Sequence, residues 1–320
     1  MELRFGRVRP GRGLYESVYL TVVHPDQPQA LWVRTTVQKR PGAAPAGALW
    51  VTWFGPDGVR AGKLNDLEVE GTDALTCGAA QQGPSGSRGS IDLASLAAQW
   101  ELSFTARTAP LEHLSPHLLY AAPLPKTKAT SPLPDLDVSG ALSIDGTPID
   151  LTGWTGMLGH NWGTEHAARW VWLRVCGLGD DQAGWLDAVL GRVKLGPVLS
   201  PWTAFGALSL DGGRHSLGGF GRRCGVEVRS DSAVITLTGS GVSARVTAAV
   251  DRAAVVGWEY ADPRGHRHEV VNSSVATMDV EVTSGGRPRR LTPQRRGVLE
   301  IGGDRRAFDV PLQPFADGPR

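Results

Sequence analysis

The chain has 320 residues, 41% of them apolar and 20% charged, and its 33 basic and 32 acidic residues leave a net charge of +1. That length is long for one hydrophobic core and comfortable for two, and the composition is globular, without a long disordered span. Balanced charge, with no basic run interleaved with aromatics, gives none of the electrostatic footprint of a nucleic-acid binder or of a protein that sits on an acidic membrane surface. No apolar run approaches the ~18 residues of a membrane span. The N-terminus, Met1-Glu2-Leu3-Arg4-Phe5-Gly6-Arg7, has no apolar signal core. Cys77, Cys176 and Cys224 are odd in number and match no zinc spacing, which points to a reducing compartment and a cytoplasmic location.

Strand patterns dominate the first half. Ser17–Val23, Ala30–Val37 and Leu49–Phe54 are β-branched and apolar, and the third runs into Gly55-Pro56-Asp57-Gly58, a turn signal. Runs at Asp66–Glu70, Ser90–Leu93 and Trp100–Ala106 follow at short spacing. Helix signals are poor: Leu93–Trp100 has room for one or two turns, and Leu111–Leu119 is broken by Pro116. Ala121–Asp137 carries Pro123, Pro125, Pro132 and Pro134, which reads as a surface crossing loop because proline cannot donate to a central ladder. Val138–Ile144, the Asp145-Gly146 turn and Ile149–Thr152 read as a hairpin.

The second half repeats the grammar. Ala204–Leu210 leads into Asp211-Gly212-Gly213, and strands are expected at Ala233–Thr238, Ser243–Val250, Val255–Tyr260, Ser274–Val282 and Gly297–Ile301. The tail after Pro311 reads as an irregular strap. Short strands at regular spacing, with 41 Gly and 22 Pro to turn the chain, predict sandwiches or barrels.

The chemistry concentrates in Gly159-His160-Asn161-Trp162-Gly163-Thr164-Glu165-His166, in Arg169-Trp170-Val171-Trp172, and in Trp185-Leu186-Asp187. His160 and Trp162 are two apart, as are Trp185 and Asp187, so each pair points to one side of an extended strand. If the two strands are neighbours, one face presents a histidine, two indoles and a carboxyl. A carboxyl buried among indoles loses hydration, so its pKa is expected to rise and leave it a usable acid at neutral pH. His160 would orient or recover that proton, and Trp162, Trp172 and Trp185 would shield a cation by π-attraction worth roughly 2 kcal/mol when dry. Those are the requirements for protonating an isolated C=C bond. The competing reading makes His-x-Trp a core pair and lets Asp187 cap a turn or pair with Arg192 or Arg174.

Glu165, His166 and Arg169 are given supporting roles, with a Glu165–Arg169 salt bridge at a barrel mouth. His160, Glu165 and His166 fit no metal-ligand spacing, and His266 and His268 lie in an Asp-Pro-x-Gly turn that reads as solvent-facing, so no metal is expected. No nucleophile elbow or phosphate loop occurs, Cys176 reads as a buried small hydrophobe, and no cofactor is called for.

At these residues the chain resembles the carotenoid 1,2-hydratase (hydroxyneurosporene synthase)-like proteins, which are double lipocalin-like proteins related in fold to tocopherol cyclases and lipocalin-like pericyclases. The resemblance is carried by Gly159-His160-Asn161-Trp162-Gly163, Trp185-x-Asp187, and Trp258-Glu259-Tyr260-Ala261-Asp262-Pro263 with Asn272-Ser273-Ser274. Tyr15-Glu16-Ser17-x-Tyr19 and Ala30-Leu31-Trp32-Val33-Arg34 add to it. It implies an all-β fold of two lipocalin-like (calycin) antiparallel barrels packed together, with domains at 1–165 and 166–320. It also implies that Asp187 protonates an isoprenoid double bond with help from His160 and Trp162. The hydratases have Tyr where Trp185 stands, so a hydroxyl that could hold water is missing. Three functions stay open: acid-initiated hydration or cyclisation of a lipophilic alkene, carriage of a lipophile without chemistry, and a pericyclase that only folds its substrate.

Overall fold

The computed structural model describes residues 1–9, 11–180, 182–293, 296–303 and 308–314. Residues 1–163 supply β1 (Leu14–Val23), β2 (Ala30–Lys39), β3 (Ala46–Gly55), β4 (Gly58–Leu67), β5 (Val69–Glu70), β6 (Leu75–Cys77), β7 (Ala80–Gly83), β8 (Gly86–Leu93), β9 (Leu96–Ala106), β10 (Leu111–Glu112), β11 (Thr127–Ile144), β12 (Thr147–Pro148) and β13 (Thr155–Gly163). The remainder supplies β14 (Arg169–Leu178), β15 (Gly184–Arg192), β16 (Lys194–Leu195), β17 (Val198–Leu199), β18 (Thr203–Leu210), β19 (Gly213–Gly218), β20 (Cys224–Val228), β21 (Ser232–Thr238), β22 (Val242–Ala249), β23 (Val256–Ala261), β24 (Arg267–Ser284), β25 (Arg287–Leu291) and β26 (Gly297–Gly302).

The first sheet runs in the order β4-β3-β2-β1-β13-β11-β9-β8-β7-β6-β5, and the second runs β19-β18-β15-β14-β26-β24-β22-β21-β20. Each curls into a nearly closed antiparallel barrel. The first is filled by Val18, Leu20, Val33, Leu49, Leu136 and Leu158, and the second by Val171, Leu173, Leu186, Leu208, Ile235 and Leu299. A third apolar layer lies between the barrels, where Trp32, Trp50 and Phe54 of the first meet Trp170, Trp258 and Tyr260 of the second. Strands at this junction are buried on both faces, so β1 is buried at every position and its sequence shows no clean polar alternation. On β14 the alternation is of two apolar kinds: Val171, Leu173 and Val175 face the barrel interior, while Trp170, Trp172 and Cys176 face the other barrel.

Three expectations are corrected. Thr127–Ile144 is one long strand, not a crossing loop, and it carries Pro132 and Pro134 between β13 and β9. Its pairing with β13 skips register between Thr130 and Leu133 and again between Leu133 and Leu136, so the prolines stand where the ladder asks for no N–H. Leu93–Trp100 is the β8–β9 hairpin and not a helix; Leu93 pairs with Leu96 across the turn. Ile149–Thr152 is not a strand, since β12 is only Thr147–Pro148. Of the strap after Pro311, Leu312 bridges Gly257 in parallel, and residues 315–320 lie outside the described residues.

Candidate active site

Between the barrels lies a cavity of about 340 Å³. Its apolar walls are largely aromatic, with Tyr19, Trp32, Trp170, Trp172 and Phe205 facing it. Its polar lining includes Arg34, His113, Asn161, His166 and Glu300, with the hydroxyl residues Thr127, Ser200 and Thr203. Leu124, Val193 and Phe220 line its mouth and are exposed. Apolar walls with sparse, fixed polar atoms are the general form of a small-molecule site.

Two glycines shape the walls. Tyr19 on β1 stands directly opposite Gly159 on β13, and a Cβ at Gly159 would lie 2.2 Å from the tyrosine ring. The ring therefore lies flat on the sheet, with its edge against Trp172 at a centroid distance of 5.0 Å. Trp170 lies in the same way across Gly302, its partner on β26. A side chain at either glycine would push an aromatic ring toward the cavity.

Asp187 on β15 is fully buried and points out of its own barrel toward the first one. Its Oδ1 accepts the indole N–H of Trp172 at 3.0 Å, and its Oδ2 accepts the Ser131 hydroxyl of β11 at 2.6 Å. The Nε2 atom of His113 lies 3.3 Å from Oδ2, an ion-pair distance without hydrogen-bond alignment. Burial pushes this carboxyl up, but the His113 ring, the Arg174 charge and the Ser131 hydroxyl together pull it down to about 2. Asp187 is therefore an anion at neutral pH, opposite to the expectation of a raised, protonated acid. Of its expected partners, Arg192 donates to the Ser200 carbonyl, and Arg174 bonds the carbonyls of Pro134 and Gly156 while acting on Asp187 through its charge.

His160 does not meet Asp187. Strands β13 and β15 belong to different sheets, and His160 is turned into the first barrel, where its Nε2 bonds Glu16 Oε1 at 2.8 Å. Glu16, fully buried, also accepts the backbone N–H groups of Arg4 and Phe5 and so fastens the N-terminal segment to β1. Trp162 is on the same side as His160, as the i, i+2 spacing predicts, and stacks on it at 4.7 Å beneath the Arg4 guanidinium. Trp185 is buried between Leu111 and Ala207 under Arg214. Of the three tryptophans singled out in the sequence, Trp172 lines the cavity.

His166 also lines it. Its ring is stacked on Tyr15 at 3.9 Å, and both its backbone N–H and its Nδ1 bond Asp262 Oδ1. The other carboxylate oxygen bonds His268 Nε2 at 2.9 Å, so His268 is half-buried, not solvent-facing as expected, while His266 is exposed. Among the described residues, His166, Asp262 and His268 form the group whose donor atoms lie close enough, within 4.8 Å, to hold a metal ion. Here the two ring nitrogens face the carboxylate at hydrogen-bond distance. Glu165 is half-buried and bonds Lys126, not Arg169 as expected; Arg169 opens β14.

Sequence reasoning missed His113, Ser131 and Glu300. Glu300 accepts from the indole of Trp170 and the hydroxyl of Tyr260 at the cavity wall. His113 sits in Leu-Glu-His-Leu, where no local spacing marks it, and only the packing of that segment on β15 reveals it.

No protein-family model matches the chain. An uncharacterized Mycobacterium tuberculosis protein, Rv0493c, is 27% identical over 294 residues, covering 88% of this chain and 84% of that protein. Among solved structures, CghA is similar over 96% of this chain and 90% of its own, with a TM-score of 0.60 at 13% identity, and it has also been solved with Sch210972. Kievitone hydratase from Nectria haematococca is similar over 93% and 92%, with a TM-score of 0.54 at 10% identity. The shared architecture is the double-barrel, lipocalin-like fold, and this chain has that fold.

Proposed function

We propose that the protein is an enzyme that adds a proton to a lipophilic, isoprenoid-type alkene in the cavity between its barrels, with the domain border at residues 165 and 166. One observation carries the reading: an imidazole, His113, lines an apolar, indole-walled cavity with its ring nitrogen 3.3 Å from a fully buried carboxylate. In its protonated form His113 gives its proton to one alkene carbon, and the π electrons form the new C–H bond. The positive charge left on the neighbouring carbon rests against the face of Trp172, whose N–H is already tied to Asp187. Water adds through its oxygen and returns a proton to His113, giving an alcohol; capture by a nucleophile within the substrate gives a ring. Asp187 stays ionised throughout and steadies the imidazole, a role like that of the carboxylate behind a catalytic histidine. His160 and Trp162 serve this site from behind, by holding β1 and β13 in place.

The fold likeness to a protein named as a hydratase, and to one solved with a small molecule, supports this reading. The test starts with native mass spectrometry of protein purified from its own host, to identify a co-purified lipophile. That compound is then incubated with the wild type, His113→Asn and Asp187→Asn. Loss of turnover in both variants with intact binding supports the reading. A ligand recovered unchanged from the wild type makes the protein a carrier. Turnover that survives both variants but falls in Trp172→Phe makes it a pericyclase, in which shape alone does the work.

A further inference from the structure

We propose that His166 is a hydrogen-bond acceptor for the cavity's ligand, and that this ligand is an apolar molecule bearing a hydroxyl group that donates to it. The inference rests on the reading above that the cavity takes a lipophile; it adds what the polar end of that lipophile must be. Asp262 is the fixed point. Its Oδ1 takes the backbone N–H of His166 at 2.8 Å and the ring Nδ1 at 2.6 Å, and its Oδ2 takes His268 Nε2 at 2.9 Å. Burial pushes the Asp262 carboxyl up, but these bonds from His166 and His268 outweigh it and hold the group well below the ordinary carboxylate range. A carboxylate only accepts, so the hydrogen on His166 is on Nδ1. Burial, the largest influence on His166, lowers its pKa, and the charges of Arg34 and His268 act in the same direction against the opposing pull of Asp262. The ring is thus neutral, with a lone pair on Nε2.

That lone pair has no partner. Nε2 is buried, the ring lines the cavity, and no group among the described residues bonds it. The ring cannot turn to hide it, because the Tyr15 ring lies parallel against it at 3.9 Å and Trp170 stacks at 5.5 Å. A flip would also surrender the Asp262 bond. A buried acceptor left unpaired costs about 1–3 kcal/mol, so it marks where a ligand donor belongs. Further atoms of cavity-lining residues are buried without hydrogen-bond partners among the described residues: Asn161 Oδ1, another acceptor, Trp32 Nε1, a donor, and both ring nitrogens of His113. A hydroxyl both donates and accepts, so it is the simplest head group that answers this set. A methyl ether or an alkane of the same shape leaves His166 unsatisfied.

The experiment compares farnesol with farnesyl methyl ether, which share a chain and differ in the donor, by tryptophan-fluorescence titration of the full-length protein. The expected result is that farnesol binds the wild type at least ten-fold more tightly. His166→Phe should reduce that ratio to near one while ether binding persists. Histidine ¹⁵N NMR supplies a readout that needs no variant: the His166 signal should show Nδ1 protonated and Nε2 bare. Equal affinities in the wild type, or a hydrogen on Nε2, overturn the inference and leave the cavity reading standing. Binding of neither compound overturns both.

Discussion

The indole N–H of Trp172 donates to Oδ1 of Asp187 across 3.0 Å, so a wall of the cavity and the buried anion beneath it move as one unit. The hydroxyl of Ser131, from the other barrel, closes the second oxygen of the same carboxylate. The junction between barrels is thus held by a charge as well as by packing, and acid should loosen it.

Asp187 is held at about 2 in the fold, below the roughly 3.9 of an unfolded aspartate. Folding therefore favours the ionised form. The stabilisation, on the order of 2 kcal/mol, is fully present above about pH 4 and is lost as pH falls through 2. Urea denaturation at a series of pH values from 6 to 2 should show a shallower acid limb for Asp187→Asn than for the wild type. Parallel limbs would mean that the carboxylate is not the group responsible.

Glu16 satisfies two backbone amides and a histidine at once. Glu16→Ala leaves three donors unpaired, two of them buried, and should cost about 3 kcal/mol. The segment around Phe5 should then become the first site of cleavage in limited proteolysis. An unchanged digestion pattern would show that the segment is held by other contacts.

Because Trp172 faces the cavity and Trp162 and Trp185 do not, their fluorescence should respond differently to a lipophilic ligand. Trp172→Phe should remove a measurable share of ligand-induced quenching, while Trp162→Phe and Trp185→Phe should leave it intact. Equal losses in all three would place the ligand elsewhere.

Gly159→Ala puts a methyl group where the ring of Tyr19 lies. Overpacking of this kind costs about 1–3 kcal/mol, so the melting temperature should fall by several degrees. The displaced ring should also narrow the cavity and weaken ligand binding. In a Tyr19→Ala background Gly159→Ala should cost much less than it does in the wild type, and an equal cost in both backgrounds would break the proposed pairing.

Much of this architecture was legible in the residues. Strand periodicity, turn signals such as Asp145-Gly146 and Asp211-Gly212, and the shared side of His160 and Trp162 all appear as read. The proline tract misled because proline forbids a ladder bond only where one is needed, and the register shifts at Thr130, Leu133 and Leu136 remove that need. The pairing of His160 with Asp187 was an inference about neighbours, and neighbours are not a local property.

The sequence by itself determined which side chains share a face, because alternation along a strand is fixed by backbone geometry. It also determined that the protein would be all-β, through β-branched runs cut by glycine and proline. Only the tertiary structure decided which faces meet. Glu16 reaches His160 across 144 residues, and Ser131 reaches Asp187 across 56, by way of strand order in two separate sheets. That order also set the charge of Asp187. Burial alone would have made it an acid; a histidine and a serine brought in from distant segments, together with Arg174 opposite it on the neighbouring strand, made it an anion.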